Sequence, residues 1–173
     1  MKKVHYLLAV TTLCLGFNSA MAEGNKEQDK KIQTALTPEE FNWVSGPDAL
    51  PKGARMVVLE GDPSKSGPLT VRIKIPANYK IPAHTHPTVE HVTVLQGTLY
   101  IGEGDKLDEN QGTALTPGSF AVIPKKVHHF ARTGKKEVIM QLHGMGPWGI
   151  EYISSSDDPR KNKNKNKNKN KKK

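Results

Sequence analysis

Residues 84–97 read HTHPTVEHVTVLQG, and two readings compete for them: a metal site, or a β-strand that happens to carry histidines. His84 and His86 share parity. On extended chain their Cα atoms lie about 6.6 Å apart and their side chains point to one face. Two imidazoles so placed can converge on one ion through bonds of about 2.0–2.1 Å. Glu90 has the same parity, but Pro87 intervenes and the chain must bend or slip there. A carboxylate adds a hard ligand and cancels one positive charge. Gly97, after Gln96, suits a tight turn between two strands where positive φ is needed. The His-x-His pair does not decide between the two readings by itself.

Outward from this stretch the pattern is that of strands. Short runs rich in Val, Ile and Leu occupy 54–59, 69–75, 91–101, 119–123, 127–132, 137–143 and 149–153, with breakers such as Gly61-Asp62-Pro63 and Thr116-Pro117-Gly118 between them. Val71, Ile73 and Ile75 alternate with Arg72 and Lys74, the period of a half-buried strand. One helix is expected, a short one near the N-terminus. Thr37 reads as its N-cap, Pro38 as its first residue and Glu39-Glu40 as its acidic first turn; it runs to about Trp43 and Ser45-Gly46-Pro47 ends it. Many short strands with almost no helix predict an all-β sandwich or barrel, and a jelly roll closes most edges around a central cavity.

Both ends of the 173-residue chain look unlike the middle. Lys2 and Lys3 precede an apolar run from Tyr6 to Phe17, and Ala20-Met21-Ala22 has the small-x-small pattern of a signal peptidase site. Residues 1–22 therefore read as a Sec-type signal cleaved after Ala22, with a periplasmic or secreted destination. The apolar run is shorter than the roughly 20 residues of a membrane span, so no transmembrane helix is expected in the mature chain. Cys14, the single cysteine, lies inside the signal. The mature chain then has no disulfide, no thiolate nucleophile and no thiolate metal ligand. Residues 160–173 alternate Lys and Asn and read as a disordered tail able to touch anionic surfaces. This tail creates the basic balance. Of 26 Lys+Arg, two lie in the signal and nine in the tail, leaving 15 against 17 Asp+Glu. The body is thus slightly acidic, and no specific nucleic-acid partner is expected. Residues 23–53 read as a polar lead-in with the short helix, and 54–159 as one β-barrel domain.

A second run weighs on the opening question: Gly118-Ser-Phe-Ala-Val-Ile-Pro124-Lys-Lys-Val-His128-His129. Together the two runs resemble the two motifs of the cupin superfamily. In the first motif a glycine precedes His-x-His by five residues, and a glutamate and then a glycine follow; His84, His86, Glu90 and Gly97 fall in register, while Asn78 stands at the leading glycine. In the second, Gly118, Pro124 and His129 fall in register; Lys126 replaces the inner glycine and Thr133 the final asparagine. The resemblance covers about residues 54–153 and is nearest to small secreted single-domain cupins. It implies a cupin-type jelly-roll β-barrel and a metal held by His84, His86, Glu90 and His129. Adjacent strand residues point to opposite faces, so only one of His128 and His129 can face the metal; motif counting favours His129, with His128 the alternative.

The remaining candidates are weaker. His91 has the opposite parity to Glu90 and is expected to face away. Val92 and Val94 are expected to wall the pocket. Gln141 and His143 share a face; if that face lines the barrel, both line the pocket and His143, with a reference pKa near 6.5, is the candidate acid–base group. The turn from Gly144 to Gly149 carries Trp148, read as packing, with capping of the pocket mouth as the alternative. Three imidazoles and a carboxylate leave coordination positions open, the mark of a reactive or ligand-binding site. The cofactor is one divalent transition metal: the resemblance favours Mn or Fe, whereas affinity order favours Cu or Zn, and Ni and Co also fit. The expected function is a metal-dependent enzyme on a small organic molecule, of dioxygenase, decarboxylase or isomerase type. The alternative is a non-catalytic metal- or ligand-binding or sensing cupin. The expected partners are a small-molecule ligand and, from the family, a second copy in a homodimer.

Overall fold

The computed structural model describes residues 34–161. Contacts divide the chain into two units, 1–35 and 36–173. Only the last two residues of the first unit are described, so the signal, Cys14 and the tail beyond Lys161 lie outside the described residues.

The second unit is a sequence of antiparallel strands: β1 Val44–Ser45, β2 Arg55–Glu60, β3 Gly67–Ile75, β4 Lys80–Thr85, β5 Glu90–Gln96, β6 Leu99–Glu103, β7 Thr113–Leu115, β8 Phe120–Ile123, β9 His129–Thr133, β10 Val138–Gly146 and β11 Glu151–Tyr152. They form two sheets, ordered β1-β2-β3-β10-β5-β8 and β11-β4-β9-β6-β7. This is the two-sheet layout of a jelly roll. Alternation places the core between the sheets. In β3, Val71, Ile73 and Ile75 are buried while Arg72 and Lys74 are half-exposed; in β10, Val138, Met140 and Leu142 are buried. With Val92 and Val94 from β5 they make one apolar cluster. Burying a side chain of this kind contributes about 1.5–3 kcal/mol.

Several sequence expectations change. The helix expected over 37–43 is a three-residue 3-10 turn, Pro38–Glu40, with no buried residue. The Thr37 N–H donates to the Glu40 carboxylate at 2.7 Å, but no apolar face exists to extend the helix. The chain runs on extended instead, and Phe41 and Trp43 lie against Arg72 and Lys74, their ring centres 4.9 and 4.7 Å from the guanidinium carbon and the ammonium. The lead-in 23–53 also supplies β1, which pairs with β2, and the buried Leu50. The run 91–101 is two strands, β5 and β6, and the turn expected at Gly97 parts them, with φ of 77°. Strand β4 is interrupted by Pro82 and β7 is three residues long with one buried side chain, Leu115, so their sequence pattern did not signal them. Arg160, read from the sequence as the first residue of the tail, is hydrogen-bonded to the body. Arg160 Nε and Nη2 donate to the two Asp158 oxygens at 2.8 and 2.9 Å, and Nη2 reaches the Ile150 carbonyl at 3.1 Å.

Candidate metal centre

The site is assembled by register. His84 of β4 lies directly opposite His129 of β9, and Tyr152 of β11 lies opposite His84 on the other side. A register shift between Ile81 and His84 rotates β4. Ile81 and His84 are an odd number apart, yet both are buried; a bulge is what allows that. His86 follows in the turn after β4 and is 2% exposed.

The three rings crowd together, with centroids 4.2 Å (His84–His129), 5.0 Å (His84–His86) and 5.0 Å (His86–His129) apart. One ring nitrogen of each is already committed. Nδ1 meets a backbone carbonyl in every case: Pro82 at 2.7 Å for His84, Gly149 at 2.7 Å for His86 and Val127 at 3.1 Å for His129. A carbonyl only accepts, so each Nδ1 carries a proton, and in the neutral ring that leaves the lone pair on Nε2. The ligand atoms that the three rings offer all lie within 4.8 Å of one another. Burial, followed by the neighbouring His129 and His86, pulls His84 down to about 3. Burial likewise pulls His129 down to about 4, against the opposing pull of the Val127 carbonyl and with His86 adding to the drop. Both are neutral at pH 7, as metal ligands must be. His86 Nε2 is shielded from solvent with no hydrogen-bond partner. A buried polar atom in that state needs an explanation, and an ion held by the three nitrogens provides one; the residues fit a metal.

Glu90, expected as the carboxylate ligand, lies beside the three rings and lines the same cavity. One carboxylate oxygen is 3.4 Å from His86 Nε2 and the other accepts from Trp148 Nε1 at 2.8 Å. Trp148 also stacks on His86, with ring centroids 5.9 Å apart at 24°. Its roles in holding Glu90 and backing His86 were not foreseen; a tryptophan in a glycine-rich turn was the available signal. His128 is exposed, and its Nδ1 pairs with Asp105 at 2.5 Å.

The face expected to carry an acid–base histidine points the other way. Gln141 and His143 do share a face, but Met140 and Leu142 take the inner one. Gln141 accepts from Arg72 Nε at 3.1 Å, and the exposed His143 stacks on His91 at 4.5 Å and 11°. Neither lines the cavity. Val92 does, along with Ile73, Met140 and Leu142. Val94 is wholly buried in the core and not part of the cavity wall. The cavity beside the histidines has a volume of about 30 Å³.

Asn78 and Lys126, which stand where the cupin motifs have glycine, are the positive-φ non-glycine residues among those described, at 56° and 63°. The backbone conformation is kept although the glycine is gone. Thr133 stands at the motif's asparagine and ties the same region together: its hydroxyl accepts from the Tyr79 N–H at 2.8 Å and donates to the Pro76 carbonyl at 2.7 Å.

A jelly roll with a buried histidine triad facing its interior places the protein in the cupin superfamily. More narrowly, residues 31–149 match the ChrR cupin-like domain, and the chain belongs to that family. No curated protein matches it in sequence. Among solved structures it is similar to the polyketide cyclase RemF from Streptomyces resistomycificus, at 18% identity and a TM-score of 0.59, over 75% of this chain and 91% of that one. It is also similar to an oxalate oxidase, at 20% identity and a TM-score of 0.50, over 73% of this chain and 66% of that one. Identities this low speak for the fold alone.

Proposed function

We propose that this chain is a metal-dependent periplasmic cupin that acts on a small organic molecule, with His84, His86 and His129 as imidazole ligands and Glu90 beside them as the carboxylate. The observation that carries this reading is the set of three buried imidazoles whose outer nitrogens are locked on carbonyls and whose ligand atoms lie within 4.8 Å of one another. A divalent transition metal, Mn or Fe first, supplies Lewis acidity or redox chemistry when bound there. The chain's own residues do the rest. The three carbonyls set each tautomer and ring angle. Ile73, Val92, Met140 and Leu142 keep water away. Glu90, held through Trp148, is the proton-handling group that faces the site, a role His143 cannot fill from the outer face.

A second reading, a binding or sensing cupin, has one observation in its favour: a cavity of about 30 Å³ takes a water-sized ligand and no more. Elemental analysis of the mature protein purified from periplasm, beside His84→Ala and His129→Ala, tests the centre; unchanged metal in both variants sinks it. Turnover of a quinol, thiol or keto-acid panel by the loaded protein, lost in Glu90→Ala, supports the enzyme. Metal retention with no turnover supports the binder. Recovery of the protein from the cytoplasm with residues 1–22 intact would overturn the periplasmic assignment.

A further inference from the structure

The cavity beside the histidines is far too small for an organic substrate, yet a cleft of about 540 Å³ shares three wall residues with it: Ile101, Ile123 and His129. This volume lies within the range of about 300–1,000 Å³ typical of small-molecule sites. The cleft runs between β7 and β8, the last strands of the two sheets. Their outer edges have no strand partner among the described residues, so the barrel is open there.

The lining indicates what would fit. Phe120 and Val122 form the outer rim of the cleft, 55% and 50% exposed, with the Phe120 ring 6.0 Å from that of His91. Leu115 and Val127 add apolar wall, and Gln111 and Thr113 supply hydrogen-bonding groups. The one charged side chain is Glu103; no lysine or arginine lines the cleft, and His129 is neutral. An anionic ligand would meet a carboxylate and no counter-charge, and an unpaired charge resists desolvation. A neutral ring with a hydroxyl gains apolar contact and can still hydrogen-bond.

We propose that the cleft between β7 and β8 binds a neutral, largely apolar organic molecule bearing a hydroxyl or carbonyl, against the ring of His129. The substrate role of this ligand rests on the metal-dependent reading above; its binding does not.

Para-cresol is the probe, with para-toluate as its anionic counterpart, titrated into the metal-loaded mature protein and followed by backbone amide shifts. Para-cresol is expected to shift Thr113, Leu115, Val122 and Ile123, with a dissociation constant of about 1 mM, and para-toluate to bind at least about tenfold more weakly. Thr113→Trp, at an exposed edge position, fills the cleft and weakens para-cresol by about tenfold or more, with melting temperature and metal content unchanged. If that variant misfolds, Gln111→Trp in the preceding loop makes the same test. Absent or remote shifts, equal binding of para-toluate, or a dimer that Thr113→Trp dissociates would each overturn the proposal; in the last case a second copy covers the cleft. Cleft shifts in a protein that holds no metal would overturn the metal reading alone, and full metal occupancy without cleft shifts would overturn the cleft alone.

Discussion

At Asn78 and Lys126 the backbone is left-handed, with φ of 56° and 63°, a conformation that costs a non-glycine residue roughly 1–2 kcal/mol. Asparagine offsets part of that through its short polar side chain, but lysine has no such help. Lys126 is held by its N–H donating to the His86 carbonyl at 3.0 Å, so the strained residue anchors the chain beside a histidine of the centre. Lys126→Gly is expected to keep or raise stability by up to about 1 kcal/mol, although its exposed contact with Glu151 is lost, since such pairs contribute little. Asn78→Val is expected to cost about 1–3 kcal/mol; urea denaturation of both variants measures this. Trp148 makes a sharper residue-scale prediction. Trp148→Phe keeps an aromatic ring on His86 but removes the donor to Glu90, and metal affinity is expected to fall about 10-fold or more. A chelator titration measures it, and an unchanged affinity would show that the indole N–H merely fills space.

The elements place these residues through turns and irregularities more than through strand length. Gly97 turns the chain from β5 to β6, and a Cβ added there would come within 2.3 Å of the Glu137 carbonyl oxygen. Gly97→Ala therefore combines a clash with an unfavourable φ, and a loss of more than about 2 kcal/mol is expected, read as a lowered melting temperature. The bulge in β4 has the opposite value: it is an irregularity that serves the site. Across it Ile81 and His84 line the same cavity despite their opposite parity. The alternation of β3 and β10 was legible because each has one buried face. β4 was not, because Pro82 and the bulge interrupt its period, and the short β7 offers only Leu115 to the core.

For the whole molecule, the buried imidazoles tie stability to pH. Burial holds His84 near 3 and His129 near 4 in the folded chain, whereas an unfolded histidine titrates near 6.5. The unfolded state therefore takes up protons first, so the contribution is fully present above about pH 6.5 and is lost as pH falls toward the folded values. The urea midpoint of metal-free protein is expected to drop between about pH 6.5 and 4, more steeply than in His84→Gln. A bound metal at 100 times its dissociation constant adds about 2.7 kcal/mol, and removing it by chelation lowers the melting temperature; equal melting of loaded and stripped protein would contradict the centre.

The sequence by itself determined the fold class and the residue types of the centre. Strand alternation records which face is buried, and His84, His86 and His129, which fall in register with the two motifs, are brought together in the fold. It could not say which side of β10 faces inward. Gln141 and His143 have the right parity to share a face, but only packing of Met140 and Leu142 against the opposite sheet decides that theirs is the outer one. Nor could it join Trp148 to Glu90 across 58 positions, or set β7 and β8 as the open edges of a cleft. Those are long-range pairings, and local pattern carries no record of which distant chain a side chain will meet.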